Sequence, residues 1–545
     1  MLRRLLIAVF LSGLLAVSVG AYWQSQASDE ASQPGWNVDT SPPEKAVSTP
    51  LLSVRRMPNW LVAPSSEARL ASAFNVALEQ QPDIQSKTCL VAYRDNDLVV
   101  EHLADEPLVP ASLMKIVTAV TFLEAVGGDF RYTTSVVIRR DDLESVRNGI
   151  LNGDIYLVGG GDPVLSTPDY IERYPESRAY TDITKLAEEV AEYLRENGII
   201  TIRGRVVADE SRYPEAERDY AAHRLGNGDE DLEENIWRTS LVAGNQVGPL
   251  AALILNDGYT SYPSDPNYSA RTQNVRATDP ARSTAVFFDD LLEARDFVIT
   301  RSPITGIAPV GDERVLIGDI QSPPASEIVA RMLHYSDNTT AELLFKEAGR
   351  QIGIQNGIVE IGSARSEAAY FVRGVVTELI DLSTELLNEE ALRIVDGSGL
   401  SSYNRLTCRI VAELLRSAGV GSMLVDALPV VGRSGTLSDC EVDGSTVDAV
   451  SSRTDDDTNN AIELELNEMW VKTGTLNDVS ALAGMTVADT QELVVFVVVV
   501  NGDGIITVLQ SCNVLQRAVM AAALGYPYGP LTDNEMLHPK SIEVR

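Results

Sequence analysis

The chain has 545 residues, and 44% of them are hydrophobic, enough to build a few domains of ordinary size. Its formal net charge of −34 makes nucleic acid an unfavourable partner, because a phosphate backbone is bound by clustered Lys and Arg. The four cysteines and four histidines form no CxxC or HExxH pattern, so no metal site is expected.

Residues 1–21 have the pattern of an export signal. Arg3 and Arg4 precede an apolar stretch that runs from Leu5 to about Ala21 and closes with small residues. A cleaved signal peptide fits this pattern, and so does an uncleaved signal anchor that would tether the chain to a membrane. Both alternatives predict that the rest of the chain lies outside the cytoplasm.

Residues 22–66 are rich in Pro, Ser, Glu and Gln, which predicts a flexible tether. Because export leads to an oxidising compartment, the even number of cysteines favours disulfides. The sequence alone leaves three pairings open, and four free thiols are the alternative. The cysteines are Cys89, Cys408, Cys440 and Cys512.

The folded part of the chain is expected to begin near residue 67, and its pattern of predicted strands and helices changes twice along the chain. Two strands that form a hairpin, at 88–93 and 98–102, precede a helix from about 112 to 126. Residues 135–277 read as short strands and turns with one helix, which predicts a β-rich insert. Three strands joined by short loops and a helix from about 505 to 524 follow in the last part. The helical patterns of the insert and of the segment after it fall at 182–197, 281–295 and 325–349.

A serine and a lysine stand three residues apart at the start of the first predicted helix. This spacing puts Ser112 and Lys115 on one helix face, within reach of each other. A serine hydroxyl needs a base to become a nucleophile, and a lysine can be that base when it is neutral. The pattern is common by chance, so an exposed lysine beside a polar serine is the alternative.

A second motif, Ser336-Asp337-Asn338, lies where one predicted helix stops and the next begins. Asn338 in this position would cap a helix that starts at Thr339. In a functional interpretation, Ser336 relays a proton between base and leaving group, and Asn338 holds a substrate amide.

A third motif, at 472–475, ends a predicted strand. A sheet edge at this place would let a peptide lie alongside as an extra strand. Lys472 would supply a positive charge for a terminal carboxylate, and Gly474 would leave room for the substrate backbone. The alternative is an ordinary lysine at the end of a strand.

The three motifs, in this order and on helix, loop and strand, resemble those of class C low-molecular-mass penicillin-binding proteins. This is the D-alanyl-D-alanine carboxypeptidase/endopeptidase family. Three further stretches and the large insert resemble the same subfamily, over about 67–526. The stretches are LVGGGDPVLS (157–166), DGSGLSSYN (396–404) and GTL (435–437).

The resemblance implies an α/β (α+β) fold of the serine β-lactamase/D,D-transpeptidase type, with an antiparallel sheet and flanking helices. A penicillin-recognition domain, expected at 67–134 and 278–526, would be interrupted by the insert at 135–277, and 527–545 would form a tail. In such a fold the first strand and the last helix are neighbours, which would pair Cys89 with Cys512 and leave Cys408 with Cys440.

The resemblance also implies roles for the motif residues. Ser112 would be the acylated nucleophile and Lys115 its general base, while Ser336 and Asn338 complete the proton path and the substrate clamp. Further residues would bind the terminal carboxylate or form the oxyanion hole with the backbone N–H of Ser112. They are Lys472 and Thr473 for the carboxylate, Gly474 for space, and the Thr475 N–H for the oxyanion.

The expected activity is cleavage of peptidoglycan stem peptides that end in D-Ala-D-Ala, as a carboxypeptidase, an endopeptidase or both. The location would be secreted, periplasmic or cell-wall associated, β-lactams would act as covalent inhibitors, and serine acyl transfer needs no cofactor. Two alternatives remain open. One is a β-lactamase of the same superfamily, and the other is a catalytically idle binding or sensor protein on this fold, which an intact motif set disfavours.

Overall fold

The computed structural model describes residues 58–79, 87–174, 179–213, 236–264, 271–358, 365–383, 385–438, 440, 442, 468–488, 490–502 and 512–527. The expected export signal, most of the expected tether and the C-terminal tail after residue 527 lie outside these ranges. Residues 58–66, expected in the tether, are instead part of a helix. Among the described helices, none is long and apolar enough to cross a membrane.

Strands and helices are named in chain order. The strands are β1 Lys87–Arg94, β2 Asp97–His102, β3 Thr133–Arg139, β4 Ile150–Leu151, β5 Ile155–Val158, β6 Leu165–Ser166, β7 Thr181–Asp182, β8 Thr201–Ile202, β9 Val206–Asp209, β10 Tyr259–Ser261, β11 Val275–Arg276, β12 Val298–Ile299, β13 Ile304–Thr305, β14 Arg314–Gln321, β15 Met469–Leu476, β16 Val479–Val487 and β17 Leu493–Asn501. The helices are α1 Pro58–Glu79, α2 Met114–Val126, α3 Arg140–Glu144, α4 Pro168–Ile171, α5 Ile183–Glu196, α6 Thr239–Ala243, α7 Pro280–Glu293, α8 Ala325–Tyr335, α9 Asn338–Gln355, α10 Arg365–Leu379, α11 Cys408–Ala418, α12 Met423–Asp426 and α13 Val514–Leu524.

A five-stranded antiparallel sheet, in the order β15-β16-β17-β1-β2, forms the centre of the main domain. Side chains alternate between the two faces of a strand, so a strand covered on both faces must be apolar throughout. In β17, Val495 and Val497 enter one core, and Phe496 and Val498 enter the other. This confirms the expected antiparallel sheet with flanking helices.

Helices cover both faces of this sheet. On the first face, α2, α8, α9 and α11 bury residues such as Ile116, Val329 and Leu343 in one large core. On the second face, α1 and α13 pack through Phe74 and Met520. Helix α13 begins at Val514 with Asn513 as its N-cap, and residue 505, where the sequence predicted its start, lies outside the described residues.

The insert has its own sheets and its own core. One sheet has the order β13-β9-β5-β3-β14, a second has the order β12-β8-β4, and β6 pairs with β7 in a third. Strand β14 pairs antiparallel with β3 over its whole length, and Phe288 and Leu292 of α7 fill the same core as α5. Residues 280–321, expected in the second part of the main domain, therefore pack with the insert.

Part of the segment expected in the insert packs instead against the main domain. Trp237, Val247 and Ile254 belong to the core on the first face of the central sheet. The chain thus returns to the main domain before α7 and then goes back to the insert. Residues 135–277 and the insert seen in the structure therefore overlap only partly.

The disulfides join Cys89 to Cys408 and Cys440 to Cys512, so the expected pairing of Cys89 with Cys512 is wrong. The expectation of Cys408 with Cys440 and the alternative of four free thiols are wrong too. Strand parity explains the result, because Cys89 points to the face covered by α11, whose first residue is Cys408. Cys440 and Cys512 lie with α13 on the opposite face.

Candidate active site

Ser112 lies in a 3-10 turn, Ala111–Leu113, that runs directly into α2. One turn later, the Lys115 side chain is fully buried and its Nζ donates to the Ser112 Oγ at 3.1 Å. The same Nζ donates to the Asn338 Oδ1 at 2.6 Å and to the Ser398 carbonyl at 2.7 Å. Lys115 is therefore held in one position against Ser112, and the exposed-lysine alternative is wrong.

Burial lowers the pKa of Lys115 to about 7, because a charged amine loses its hydration in the interior. The nearby carboxylates of Asp396, Asp337 and Glu342 favour the charged form and offset part of this effect. At neutral pH a large fraction of Lys115 is therefore the free amine, the form that can take a proton from Ser112.

The second motif connects α8 to α9. Ser336 ends α8 in the left-handed region, with φ 51° and ψ 42°. Asp337 is the N-cap of α9 and accepts from the Thr340 N–H at 3.1 Å, so the capping role expected of Asn338 belongs to Asp337. Asn338 is thereby free to accept from Lys115, while its Nδ2 donates to the Gln246 carbonyl at 2.7 Å.

The third motif lies on β15, and its lysine points back to the second motif. Lys472 is fully buried, and its Nζ donates to the Ser336 Oγ at 3.1 Å and to the Thr473 carbonyl at 2.9 Å. Burial, and then the charge of Lys115, lowers the pKa of Lys472 well below its usual value. An anion bound beside Lys472 would favour its charged form again.

Strand β15 is the edge of the central sheet. Toward the outside, the Val471 N–H donates to the Pro429 carbonyl and the Met469 carbonyl accepts from the Val431 N–H. Thr473 and Thr475 have the same parity as Met469 and Val471, so their backbone groups point to the same edge. Among the described residues, no strand pairs with this edge beyond Val471.

Two glycines bring the backbone close to the serine turn. A Cβ on Gly474 would lie 2.8 Å from the Pro110 carbonyl oxygen and 3.1 Å from the Ser112 nitrogen. Gly399 has φ +84°, and a Cβ there would lie 1.9 Å from the Ala111 carbonyl oxygen. Gly474 was expected to leave space for a substrate, and what the structure shows is that the missing Cβ leaves space for the turn that carries Ser112.

The structure adds residues that the three motifs did not include. The Glu342 Oε1 accepts from the N–H groups of Gly397 at 3.1 Å and Ser398 at 2.8 Å, which fixes the carbonyl that contacts Lys115. The hydroxyl of Thr436 lies 2.7 Å from that of Thr473. The sequence features that could have pointed to these residues are DGSG at 396–399, GTL at 435–437, and a glutamate four residues after Asn338.

Among the described residues, one group of carboxylates has spacing that could suit a metal ion. It consists of Asp289, Asp290 and Glu293 on α7, in the insert. Asp290 and Glu293 are exposed, and the group is separate from the three motifs in the sequence. Exposed acidic residues on one helix face are the ordinary explanation for such a group.

The family comparison agrees with this geometry. The model of the D-Ala-D-Ala carboxypeptidase 3 (S13) family matches residues 70–229 and 264–520, more than half of the chain. The chain belongs to this family. S13 membership confirms the resemblance to class C low-molecular-mass penicillin-binding proteins, and the chain is a serine D-Ala-D-Ala carboxypeptidase.

Named relatives of this S13 chain agree. A carboxypeptidase DacB of Mycolicibacterium smegmatis is 26% identical over 476 residues, which cover 84% of this chain and 87% of the relative. A D-alanyl-D-alanine carboxypeptidase of Actinomadura sp. strain R39 is 27% identical over 455 residues, 73% of this chain and 74% of the relative. The fold is similar to penicillin binding protein 4 of Haemophilus influenzae, with a TM-score of 0.57 at 18% identity over 82% of this chain and 97% of that chain.

Proposed function

We propose that Ser112 is the nucleophile of this carboxypeptidase and that Lys115 is its general base. The observation that carries the proposal is the buried Lys115 amine, 3.1 Å from the Ser112 Oγ, with a pKa lowered to about 7. Asn338 and the Ser398 carbonyl hold that amine in place, so little reorganisation is needed before proton transfer.

The first step is acyl transfer from the substrate to the serine. The Ser112 Oγ attacks the carbonyl carbon of the penultimate D-Ala while its proton moves to the Lys115 Nζ. The carbonyl oxygen becomes an oxyanion, which the N–H groups of Ser112 and Thr475 stabilise, and such donors are typically worth roughly 3–4 kcal/mol in the transition state. The C–N bond then breaks, and the terminal D-Ala leaves as an amine.

The leaving nitrogen needs a proton before it departs. Ser336 is suited to deliver it, because its hydroxyl lies 3.1 Å from the Lys472 Nζ at the end of the second motif. Ser336 gives its proton to the amine, and the proton held by Lys115 replaces it. In the second step, a water molecule gives a proton to Lys115 and attacks the ester, and Ser112 recovers its hydroxyl.

The substrate peptide lies along the free edge of β15, beyond Val471. Thr473 and Thr475 offer outward backbone groups to an extended peptide, as in strand addition. The terminal carboxylate binds Lys472 and the Thr473 hydroxyl, which Thr436 orients. Gly474 keeps the strand close to Ser112, and Asn338 holds a substrate amide.

The natural substrates are peptidoglycan stem peptides that end in D-Ala-D-Ala, in agreement with the action of the S13 family on such bonds. Endopeptidase cleavage of a cross-link cuts the same D-Ala carbonyl, so the site serves both reactions. The reaction takes place outside the cytoplasm, and residues 1–21 would export the chain as a signal peptide or hold it as a membrane tether.

β-Lactams are proposed as covalent inhibitors that acylate the same serine. Opening of the ring breaks its C–N bond and forms an ester with the Ser112 Oγ, and the remnant stays attached because it is joined to the acyl group. That remnant blocks the approach of the deacylating water. The adduct carries the mass of one whole β-lactam molecule.

The test is intact-mass analysis of the full-length chain after incubation with benzylpenicillin. The wild type is expected to gain the mass of one benzylpenicillin, and Ser112→Ala is expected to gain none. Ser145→Ala, which changes an exposed serine of the insert, is the matched control and should react like the wild type. Release of D-Ala from a stem pentapeptide by the wild type then checks the natural reaction.

Each other outcome points to a stated alternative. An unmodified wild type with intact penicillin would favour an idle binding protein, and an unmodified wild type with hydrolysed penicillin would favour a β-lactamase. An adduct that persists in Ser112→Ala would assign the nucleophile to another residue.

A further inference from the structure

A buried arginine joins the second motif to side chains from residues 170–257. The Arg331 side chain, on α8, is 1% exposed. Its Nη1 donates to the Asp337 Oδ2 at 2.6 Å and to the Thr340 hydroxyl at 2.9 Å. Asp337 stands between Ser336 and Asn338, so the position of the guanidinium bears directly on both proposed active-site residues.

The other side of the same guanidinium faces residues of the segment before α7. The Arg331 Nη2 lies 3.6 Å from the Asp257 Oδ2, which also accepts from the Tyr170 hydroxyl. The rings of Tyr174 and Tyr180 flank the cation, with centroids 5.4 Å and 4.8 Å from its Cζ. Arg331 therefore bridges two carboxylates that come from distant parts of the chain.

The neighbourhood of Ser336 explains why this bridge matters. Ser336 adopts a left-handed conformation that is uncommon for a residue with a side chain, so the surrounding contacts must hold it. Asp337 fixes one side by capping α9 and pairing with Arg331. Tyr335 packs its ring against Tyr174, with centroids 5.0 Å apart, which fixes the other side.

We propose that Arg331 is a positioning residue for Ser336 and Asn338, and that Asp257 is its second anchor. Side chains from residues 170–257 then help to fix the positions of Ser336 and Asn338 in the second motif. The inference rests on the proposed function, because its effect is seen through acylation of Ser112.

The charges around Asp257 decide how the bridge responds to pH. Burial raises the pKa of Asp257 to about 6, and the Asp337 carboxylate adds to this effect. Arg331, Arg173 and the Tyr170 hydroxyl act in the opposite direction. Among the described residues, Tyr174, Tyr180 and Tyr259 also interact with Asp257. Asp257 is therefore an anion above about pH 6 and neutral below it.

The experiment compares Asp257→Asn with Asp289→Asn. Asp289 is a carboxylate of α7 whose pKa is also raised to about 6, but Arg331 does not contact it. The second-order rate constant for acylation of the full-length chain by benzylpenicillin is measured from pH 5 to pH 8. The rate constant is taken from the time course of the chains that react and is divided by the folded fraction measured by circular dichroism at each pH, so loss of folded material alone leaves the corrected value unchanged.

At pH 8 we expect Asp257→Asn to react about tenfold more slowly than the wild type, since small displacements of active-site groups have effects of this order. At pH 5 the two rates should converge to within about twofold, because protonation neutralises Asp257 in the wild type. Asp289→Asn should match the wild type at every pH.

Equal rates for Asp257→Asn and the wild type at pH 8 would overturn the inference. So would a ratio that stays constant from pH 5 to pH 8, or an equal loss in Asp289→Asn, because both indicate a general effect on the fold. A wild type that forms no adduct at all would instead overturn the proposed function, and the inference with it.

Discussion

At the scale of single residues, the site depends on opposing effects on one amine. Complete burial favours neutral Lys115, while three carboxylates around it favour the charged form, and the balance gives a pKa of about 7. Without the carboxylates, the pKa of the amine would be lower still, and the amine would be a weaker base toward the serine proton. Without burial, it would be charged at neutral pH and unable to accept one.

The pH dependence of acylation follows from this balance. Lys115 must be neutral to accept the Ser112 proton, and the neutral fraction grows as the pH rises through about 7. The acylation rate constant should therefore rise about tenfold per pH unit below this value and level off above it. Stopped-flow mixing with benzylpenicillin between pH 5 and pH 9 measures how the acylation rate constant depends on pH. A rate constant that does not change across this range would contradict the role of Lys115 as general base.

Glu342 should change that profile in a defined direction. Its charge raises the pKa of Lys115, so Glu342→Gln should lower that pKa and move the inflection of the profile by roughly 0.5–1 unit toward lower pH. The glutamine retains an oxygen that can accept from Gly397 and Ser398. Glu327→Gln, on the exposed face of α8, is the control and should leave the inflection at the wild-type pH. An inflection that also stays at the wild-type pH in Glu342→Gln would contradict the prediction.

The motif residues could be predicted from the sequence, but the groups that hold them in place could not. Ser112 and Lys115 are three residues apart, so helix geometry alone predicted their contact. The contact of Lys115 with Ser398 spans 283 residues, and that of Lys472 with Ser336 spans 136. Only packing of the whole domain brings such groups together, which is why the role of Glu342 was visible only in the structure.

At the scale of elements, the glycine on β15 controls how closely a strand approaches the serine turn. Gly474→Ala would place a Cβ 2.8 Å from the Pro110 oxygen, and backbone must move to relieve the contact. We expect acylation to slow by about 100-fold, because Ser112 and the Thr475 N–H separate from their working geometry.

Gly374→Ala is the matched control for that change. Gly374 lies within α10, and a Cβ there would meet nothing within 4 Å, so alanine should stabilise the helix by about 0.5–1 kcal/mol. Acylation rates and urea unfolding of both variants give the measurement. An unchanged rate in Gly474→Ala would show that the strand and the turn adjust without cost to the site.

Local patterns predicted most elements near the site, including the hairpin of β1 and β2, helix α2 and the three strands β15 to β17. Errors occurred where long-range pairing decides the structure. Strand β14 pairs with β3 across about 180 residues, and no local pattern shows that residues 314–321 belong to the insert. The disulfides depended on the same kind of information, since the face to which Cys89 points is defined only by the finished sheet.

At the scale of the whole molecule, the chain passes more than once between the main domain and the insert. Trp237 packs in the main core, and its Nε1 donates to the Asp396 Oδ2 at 2.8 Å, in the DGSG loop beside Lys115. Asp396 also accepts from the N–H groups of Gly399 and Ser401. A chain that leaves the main domain and returns in this way can hold the site from two sides.

We expect one disulfide to contribute more to the free energy of unfolding and the other to contribute more to the acylation rate. Cys89–Cys408 closes 319 residues and Cys440–Cys512 closes 72. The chain-entropy model therefore makes the first bond worth about 5.7 kcal/mol and the second about 4.4 kcal/mol, a difference of about 1.3 kcal/mol. Cys440 follows the Gly435–Leu437 turn, whose Thr436 contacts Thr473. Loss of the second bond should therefore slow acylation more.

The double variants Cys89→Ala/Cys408→Ala and Cys440→Ala/Cys512→Ala test this division. Urea unfolding should show the larger loss of free energy for the first pair, and acylation by benzylpenicillin should show the larger loss of rate for the second. A first pair that loses more rate than the second would mean that the sheet and α11, rather than the turn beside β15, set the geometry of the carboxylate site.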